Sequence, residues 1–262
     1  MRSIFKEGPE RNKVVTQGSI INHCVAEKYG CDVWGVIVTP RCDMAHTGKV
    51  THVHYVPIVP FEEWYKVDGL LYLWTRTLEK NRKKIQDTCK EKGFPTLNLG
   101  EKQLKTLSNS IEDQKERDRF QAVINDFYET EKTNPNNYKP NSDEKKRLVE
   151  NMRKGDIPAF FLIEDWRKDN HYMVVLLREL KRLEYNIAIG MSSGVEERTI
   201  ADTWKNDLAY SVSRDFIYET EAEIVSPFVE QLMERFSYNF CRIGVEDMDE
   251  NVEDVLKSFI KM

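Results

Sequence analysis

Hydrophobic residues change their spacing twice along this chain, and that switch limits its fold more than any other feature. Residues 14–21, 33–39 and 51–59 are rich in β-branched and aromatic side chains and are separated by Gly, Asp or Pro, a pattern that predicts strands. From Phe61 the period lengthens. Leu70, Leu71, Leu73, Trp74 and Leu78 recur at helical spacing before a polar run to Lys92, and Leu104, Leu107, Ile111, Phe120, Val123, Ile124 and Phe127 predict a second helix over about 101–132. Gly93, Pro95 and Gly100 supply the turn of a helical hairpin. Strand character returns at 158–163 and 172–177, with RKDN as the turn between them.

Strands that flank a helical middle must be gathered into one sheet if each is to bury its apolar face. The expected fold is therefore α+β: a small, strongly bent antiparallel sheet or SH3-like barrel, with a long helical insertion and C-terminal helices. The expected boundaries are a β-rich core from residues 1–66 and 155–190, a helical insertion at 67–154, and a mainly helical part at 191–262 packed on the core. Local signals fill in detail. Gly18 marks a bulge or sharp bend, and Pro57 and Pro60 mark the third strand as an edge or its end, because proline cannot donate to a ladder. TNPNNYKPNS (133–142) is a loop, after which Ser142 and Asp143 open a short helix ending at Gly155. Ser226 and Pro227 open another, whose stripe of Val229, Leu232, Met233, Phe236 and Phe240 reads as core, and a last helix spans about 249–261.

A length of 262 residues allows one large domain or two ordinary ones, each with a core of its own. No stretch has the roughly 18 uninterrupted apolar residues needed to cross a bilayer, and the opening MRSIFKEGPERNK has no apolar core of signal-peptide length. The expected location is the cytoplasm, with no membrane partner, and the five cysteines (24, 31, 42, 89, 241) read as free thiols. Charge is uneven: residues 76–154 carry a net +5 and the remainder −10. That excess suits a nucleic-acid or acidic-partner surface, and equally the solvated faces of surface helices.

Chemistry concentrates elsewhere. Four of the five histidines (23, 46, 52, 54) and three cysteines (24, 31, 42) fall within residues 23–54, most densely in CDMAHTGKVTHVH. Cys42, Asp43 and His46 belong to a loop after a strand. His52 and His54 lie two apart and share one side of the next strand. One reading is a metal site, with Cys42, His46, His52 and His54 as a tetrahedral set for zinc. A second makes Cys42 a nucleophile, with Asp43 or His46 orienting its base. In a third, Asp43 and Thr47 cap the loop, Cys42 packs beneath it, and the histidines occupy a half-exposed strand face. Arg41 and Lys49 are candidate binding residues, Lys49 as a phosphate contact or a turn residue. GxGxxG, GxxxxGK[ST], GxSxG and HExxH are all missing, which removes support from the large nucleotide-binding and hydrolase classes.

QGSIINHCV, WGVIVTPRCDMAH and VTHVHYVPIVP together resemble the opening of MazF/PemK-like toxins over residues 14–60. The resemblance implies an SH3-like barrel that cleaves RNA or binds a partner on its surface, and an arginine in the loop after the first strand. Here that loop, 22–32, has none, and the nearest is Arg41. The Cys-Asp pair, IPAFFLIEDW and SPFVEQLMERFSYNF followed by RIGV are also similar to uncharacterised bacterial proteins. The expected function is that of a cytosolic accessory or effector protein of toxin or antiviral-defence type. It would bind a protein partner or nucleic acid, RNA included, through the Cys42 to His54 face. The alternatives are an RNase on the barrel, a zinc-dependent hydrolase, or a purely structural subunit.

Overall fold

The computed structural model describes residues 4–6, 14–46, 48–94, 100–168, 172–196 and 216–240. Its centre is an antiparallel sheet, eight-stranded among the described residues, that curls strongly into a half-barrel and confirms the α+β reading. In chain order the strands are β1 (Phe5–Lys6), β2 (Ser19–Ile21), β3 (Trp34–Ile37), β4 (His52–Pro60), β5 (Phe160–Glu164), β6 (Tyr172–Leu176) and β7 (Lys181–Glu184). A small ladder of β8 (Val195–Glu196) with β9 (Ile217–Tyr218) follows, and then β10 (Thr220–Ile224). The spatial order is β1-β10-β2-β3-β4-β6-β5, with β7 on β4 as well. The curl lets the two sheet edges share one groove of about 260 Å³, with Ile4 and Ile224 on one side and Phe161, Leu162 and Ile163 on the other.

β4 organises this sheet and corrects the expectation that its prolines place it at an edge. One of its sides pairs with β3, Gly35 opposite Pro57. The other pairs with β7 from His52 to Tyr55 and with β6 from Ile58 to Pro60. Pro57 falls between those two partners, so its missing N–H costs no ladder bond there. Pro60 does end the strand, as expected. The sheet also takes in Thr220–Ile224, from the part expected to be mainly helical. That segment forms β10, inserted between β1 and β2. Gly18 makes the expected bend at φ +93°, where a Cβ would meet the Ile224 carbonyl at 2.9 Å.

Both faces of the sheet are apolar and both are covered. One carries Ile21, Ile37, Val53, Tyr55, Val59 and Leu183, the other Ile20, Val36, Val56, Ile58, Met173 and Val175. Helix α2 (Phe61–Trp64) runs through a wide π-turn (Tyr65–Gly69) straight into α3 (Leu70–Glu91), so one continuous helix crosses from the β-rich core into the helical middle. Its first half packs on the sheet through Trp64 and Leu73. Its second half, with Ile85 and Cys89, joins α4 (Glu101–Asn109) and α5 (Gln114–Lys132) in a separate cluster of Leu104, Leu107, Ile111, Phe120, Ile124 and Phe127.

α4 and α5 replace the single helix expected over 101–132. The break falls at 110–113, where Asp113 caps α5 by accepting from the Glu116 N–H at 2.7 Å. Asp113 thus starts a new helix whose first residues, 114–119, are helical though polar. α6 (Ser142–Lys154) begins and ends as expected: Asn141 caps it and Gly155 closes it at φ +71°. Arg235 reinforces that end, its guanidinium donating to the Gly155 carbonyl at 2.7 Å. It comes from α8 (Phe228–Phe240), whose Val229 and Leu232 are buried on the sheet while Phe240 is exposed. The expected 249–261 helix, Cys241, His171 and Thr47 lie outside the described residues. Among the described residues no helix is long and apolar enough to cross a membrane.

Candidate binding face

α1 (Arg41–Met44) is a single helical turn that starts immediately after Pro40, whose φ of −57° and ψ of 142° bring the chain in extended. Met44 is buried, and the Tyr185 hydroxyl donates to its carbonyl at 2.9 Å. Tyr185 opens α7 (Tyr185–Gly190), directly after β7. The turn is thus pinned from beneath, and Arg41 and Cys42 are exposed on its outer side. Cys42 is therefore not packed under the loop.

Asp43 is the hub of this turn. It forms an ion pair with Lys49 and accepts from the Cys42 thiol at 3.6 Å. The Lys49 hydrogen bond, assisted by its charge, by Cys42 and by His46, holds the Asp43 carboxyl below the ordinary carboxylate range. Asp43 in turn raises Lys49. Arg41 reaches the buried carboxylate of Glu223 on β10 at 3.9 Å. Both cations of the face are therefore matched by carboxylates. His46 is exposed and, among the described residues, hydrogen-bonds neither Cys42 nor Asp43 through its ring.

His52 and His54 do share one side of β4, with buried Val53 between them pointing the other way. They stand opposite Glu184 and Arg182 of β7. The His52 ring is 3.0 Å from the Thr51 hydroxyl, and the His54 N–H donates to Thr39 at 2.6 Å. Partial burial pushes the His54 imidazole below its ordinary pKa, and His52 pushes it the same way. An imidazole depressed in the folded state binds its proton more weakly there than when unfolded. Both states are neutral well above about pH 6.5, and stability is lost as pH falls through that value toward the lower folded one. Melting temperatures taken from about pH 7.5 to about pH 5 should fall less steeply for His54→Asn than for the parent protein; equal slopes would contradict this assignment.

The other histidine and cysteines of residues 23–54 are engaged elsewhere. Cys24 is buried, and burial pushes its thiol well above the ordinary range despite the Tyr55 hydrogen bond. Cys31 lines a separate groove with Asp32, Glu62, Glu63, Trp34 and Arg167. His23, at φ +50°, stacks on Phe216 with ring centroids 4.1 Å apart. The zinc set of Cys42, His46, His52 and His54 is not assembled: among the described residues no three His, Cys, Asp or Glu side chains are placed to hold a metal. Of the four, Cys42 is on α1, His46 lies just beyond it, and His52 and His54 are on β4.

Two concave sites escaped the sequence reading. The groove around Cys31 needs residues from three separate segments, which no local pattern reveals. A cleft of about 540 Å³ between α3 and α6 was partly visible as the basic excess of residues 76–154. No family model, no curated protein and no solved structure matches this chain.

Proposed function

We propose that the protein is a cytosolic accessory or effector protein that binds a protein partner through the turn Arg41 to Lys49 and the adjoining histidines of β4. One observation carries this reading: the face presents an exposed thiol, imidazole and ion pair on a turn anchored by buried Met44 and the Tyr185 hydroxyl. Its cations are balanced by Asp43 and Glu223, which leaves little surplus positive charge for phosphates and favours protein over nucleic acid here. The thiol donates to a carboxylate, an arrangement unlike the cysteine–imidazole pair that commonly activates a nucleophile. A toxin or defence role is consistent with the curled sheet, but a fold of this kind hosts many activities and selects none.

The exposed Cys42 supplies the test. Coupled to a photo-crosslinker in extract of the source cell, it should yield one dominant protein adduct. Asp43→Ala and His46→Ala should each weaken that adduct by about tenfold while the melting temperature stays within a few degrees, as expected for exposed polar residues. Diffuse background crosslinking would defeat the proposal, and so would Cys42-dependent degradation of mixed RNA by the purified protein.

A further inference from the structure

We propose that the cleft between α3 and α6 is a binding site for single-stranded nucleic acid, a role that goes beyond the partner face and does not depend on it. Arg76, Lys80, Lys83 and Lys84 line it from α3, and Arg147 lines it from α6. The α3 cations lie at i, i+4, i+7 and i+8, one or two per helical turn on one face, and span about 12 Å of helix axis. A row of that length suits a linear polyanion better than a single phosphate.

All five cations are exposed, and among the described residues none forms an ion pair. Elsewhere Lys28, Arg41, Lys49, Lys66, Lys105 and Lys181 have carboxylate partners, while scattered surface cations such as Lys115 and Arg119 have none among the described residues; the cleft differs in gathering five unpaired cations in one concavity. The cleft also holds three acids, Glu79, Asp87 and Glu144. Glu79 and Asp87 each lie one turn from Lys83 without pairing to it. Glu144 is committed to structure. One of its oxygens accepts from the Thr77 hydroxyl at 2.6 Å and the Tyr138 hydroxyl at 2.9 Å, and the other from the Asn141 N–H at 2.8 Å. Burial raises its pKa, but these bonds and Lys80 outweigh burial and leave it lowered, so the carboxylate is a fixed part of the α6 cap.

The uncharged lining favours bases over a phosphorylated peptide. Tyr72 lies at one end with the Arg76 guanidinium 5.9 Å from its ring centroid, and the buried side chains of Leu73 and Leu148 also line the cleft. An aromatic face beside a guanidinium and a row of ammonium groups is how proteins hold unstacked bases while neutralising the backbone. A duplex keeps its bases stacked and leaves Tyr72 unused, which is why the assignment is to a single strand.

Fluorescence polarisation with a labelled, mixed-sequence single-stranded oligonucleotide, as RNA and as DNA, tests this. Binding by at least one of them should weaken steeply with salt. The double variant Lys80→Glu/Lys83→Glu should bind about tenfold more weakly or worse, and the slope of log affinity against log salt should fall by about 1.4 for two lost phosphate contacts. Tyr72→Leu, which keeps the apolar contact, should lose roughly tenfold through stacking. Lys115→Glu/Arg119→Glu makes the same charge change on α5, outside the cleft, and should stay within about twofold of the parent at physiological salt. No binding of either strand at low salt overturns the proposal. So does an equal loss in the α5 control, which would indicate net charge alone, or equally tight binding of duplex or of inorganic polyphosphate.

Discussion

Trp64→Ala is expected to lower the free energy of unfolding by about 3–5 kcal/mol, the range for emptying a buried tryptophan site. Trp64 is completely buried and is the largest of the fully buried side chains among the described residues. Its ring packs edge-on to Phe160 of β5 with centroids 5.1 Å apart, and against Phe61 at 5.5 Å. The π-turn that follows brings Gly69 over the indole, where a Cβ would stand 3.2 Å from the ring. Sheet and turn therefore close on the same side chain, and neither can collapse into the space without moving the continuous helix. Trp64→Phe separates packing from polarity. The indole N–H is buried with no partner, so phenylalanine removes an unsatisfied donor while keeping most of the contact area. Its cost should be under half that of alanine. Urea unfolding followed by circular dichroism reads both, with the midpoint shifting and the slope preserved. A loss below about 1 kcal/mol for alanine would mean that the site relaxes, contrary to this packing. The same helix carries Arg76 to Lys84, so Trp64 also sets the position of the basic cleft.

The sheet and the helical middle were legible because each rests on periodicity, which local sequence carries. β4 was recognised as a strand from its β-branched run, and α6 from its loop and its closing glycine. What was not legible depends on partners distant in sequence. Pro57 reads as an edge signal because a proline normally breaks a ladder, and only the change of partner from β7 to β6 at that residue makes it harmless in a central strand. β10 was missed because TEAEI holds three polar residues out of five. Two of them acquire specific partners in the fold: Glu221 accepts from both Trp34 and Trp166 indoles at 3.0 Å, and Glu223 faces Arg41.

The candidate face was legible in composition and not in geometry. Sequence placed Cys42, Asp43 and His46 in the connection after a strand and His52 with His54 on one strand side; Cys42 and Asp43 lie on α1 with His46 just beyond it, and the two strand histidines do share a side. Whether the two groups meet depends on the path of residues 45–51, which has no periodic signal. The basic cleft shows the converse. Its charge was visible, but the pairing of lysines with nearby acids is a tertiary matter, and sequence alone reads such a segment as an ordinary solvated surface.

Gly35→Ala should be the costliest single-methyl addition in the sheet, at about 1–3 kcal/mol or more, the range for overpacking a filled core. Gly35 sits in β3 between Ile21 of β2 and Pro57 of β4. A Cβ there would lie 2.6 Å from Tyr55 Cδ2 and 2.7 Å from Cys24 Sγ, closer than van der Waals contact permits. Neither neighbour is free to yield. Tyr55 is fully buried, and its hydroxyl accepts from the Val25 N–H at 3.4 Å. Cys24 is buried with its thiol turned to the carbonyls of Ile21 and Asn22, at 3.8 and 3.7 Å. Relief must then come from the backbone, by parting β3 from a neighbour and weakening ladder bonds. Gly30→Ala, with nothing within 4 Å of its Cβ, is the matched control and should change stability by less than about 0.5 kcal/mol. Adding Cys24→Ala to the Gly35→Ala protein should recover part of the loss. The double variant should therefore be more stable than the sum of the two single effects, which is the coupling expected of residues in direct contact. Simple additivity, or a Gly35→Ala protein as stable as the parent, would mean that the loop bearing Cys24 does not press on the middle of the sheet, and that the face of β3 it covers is looser than these distances require.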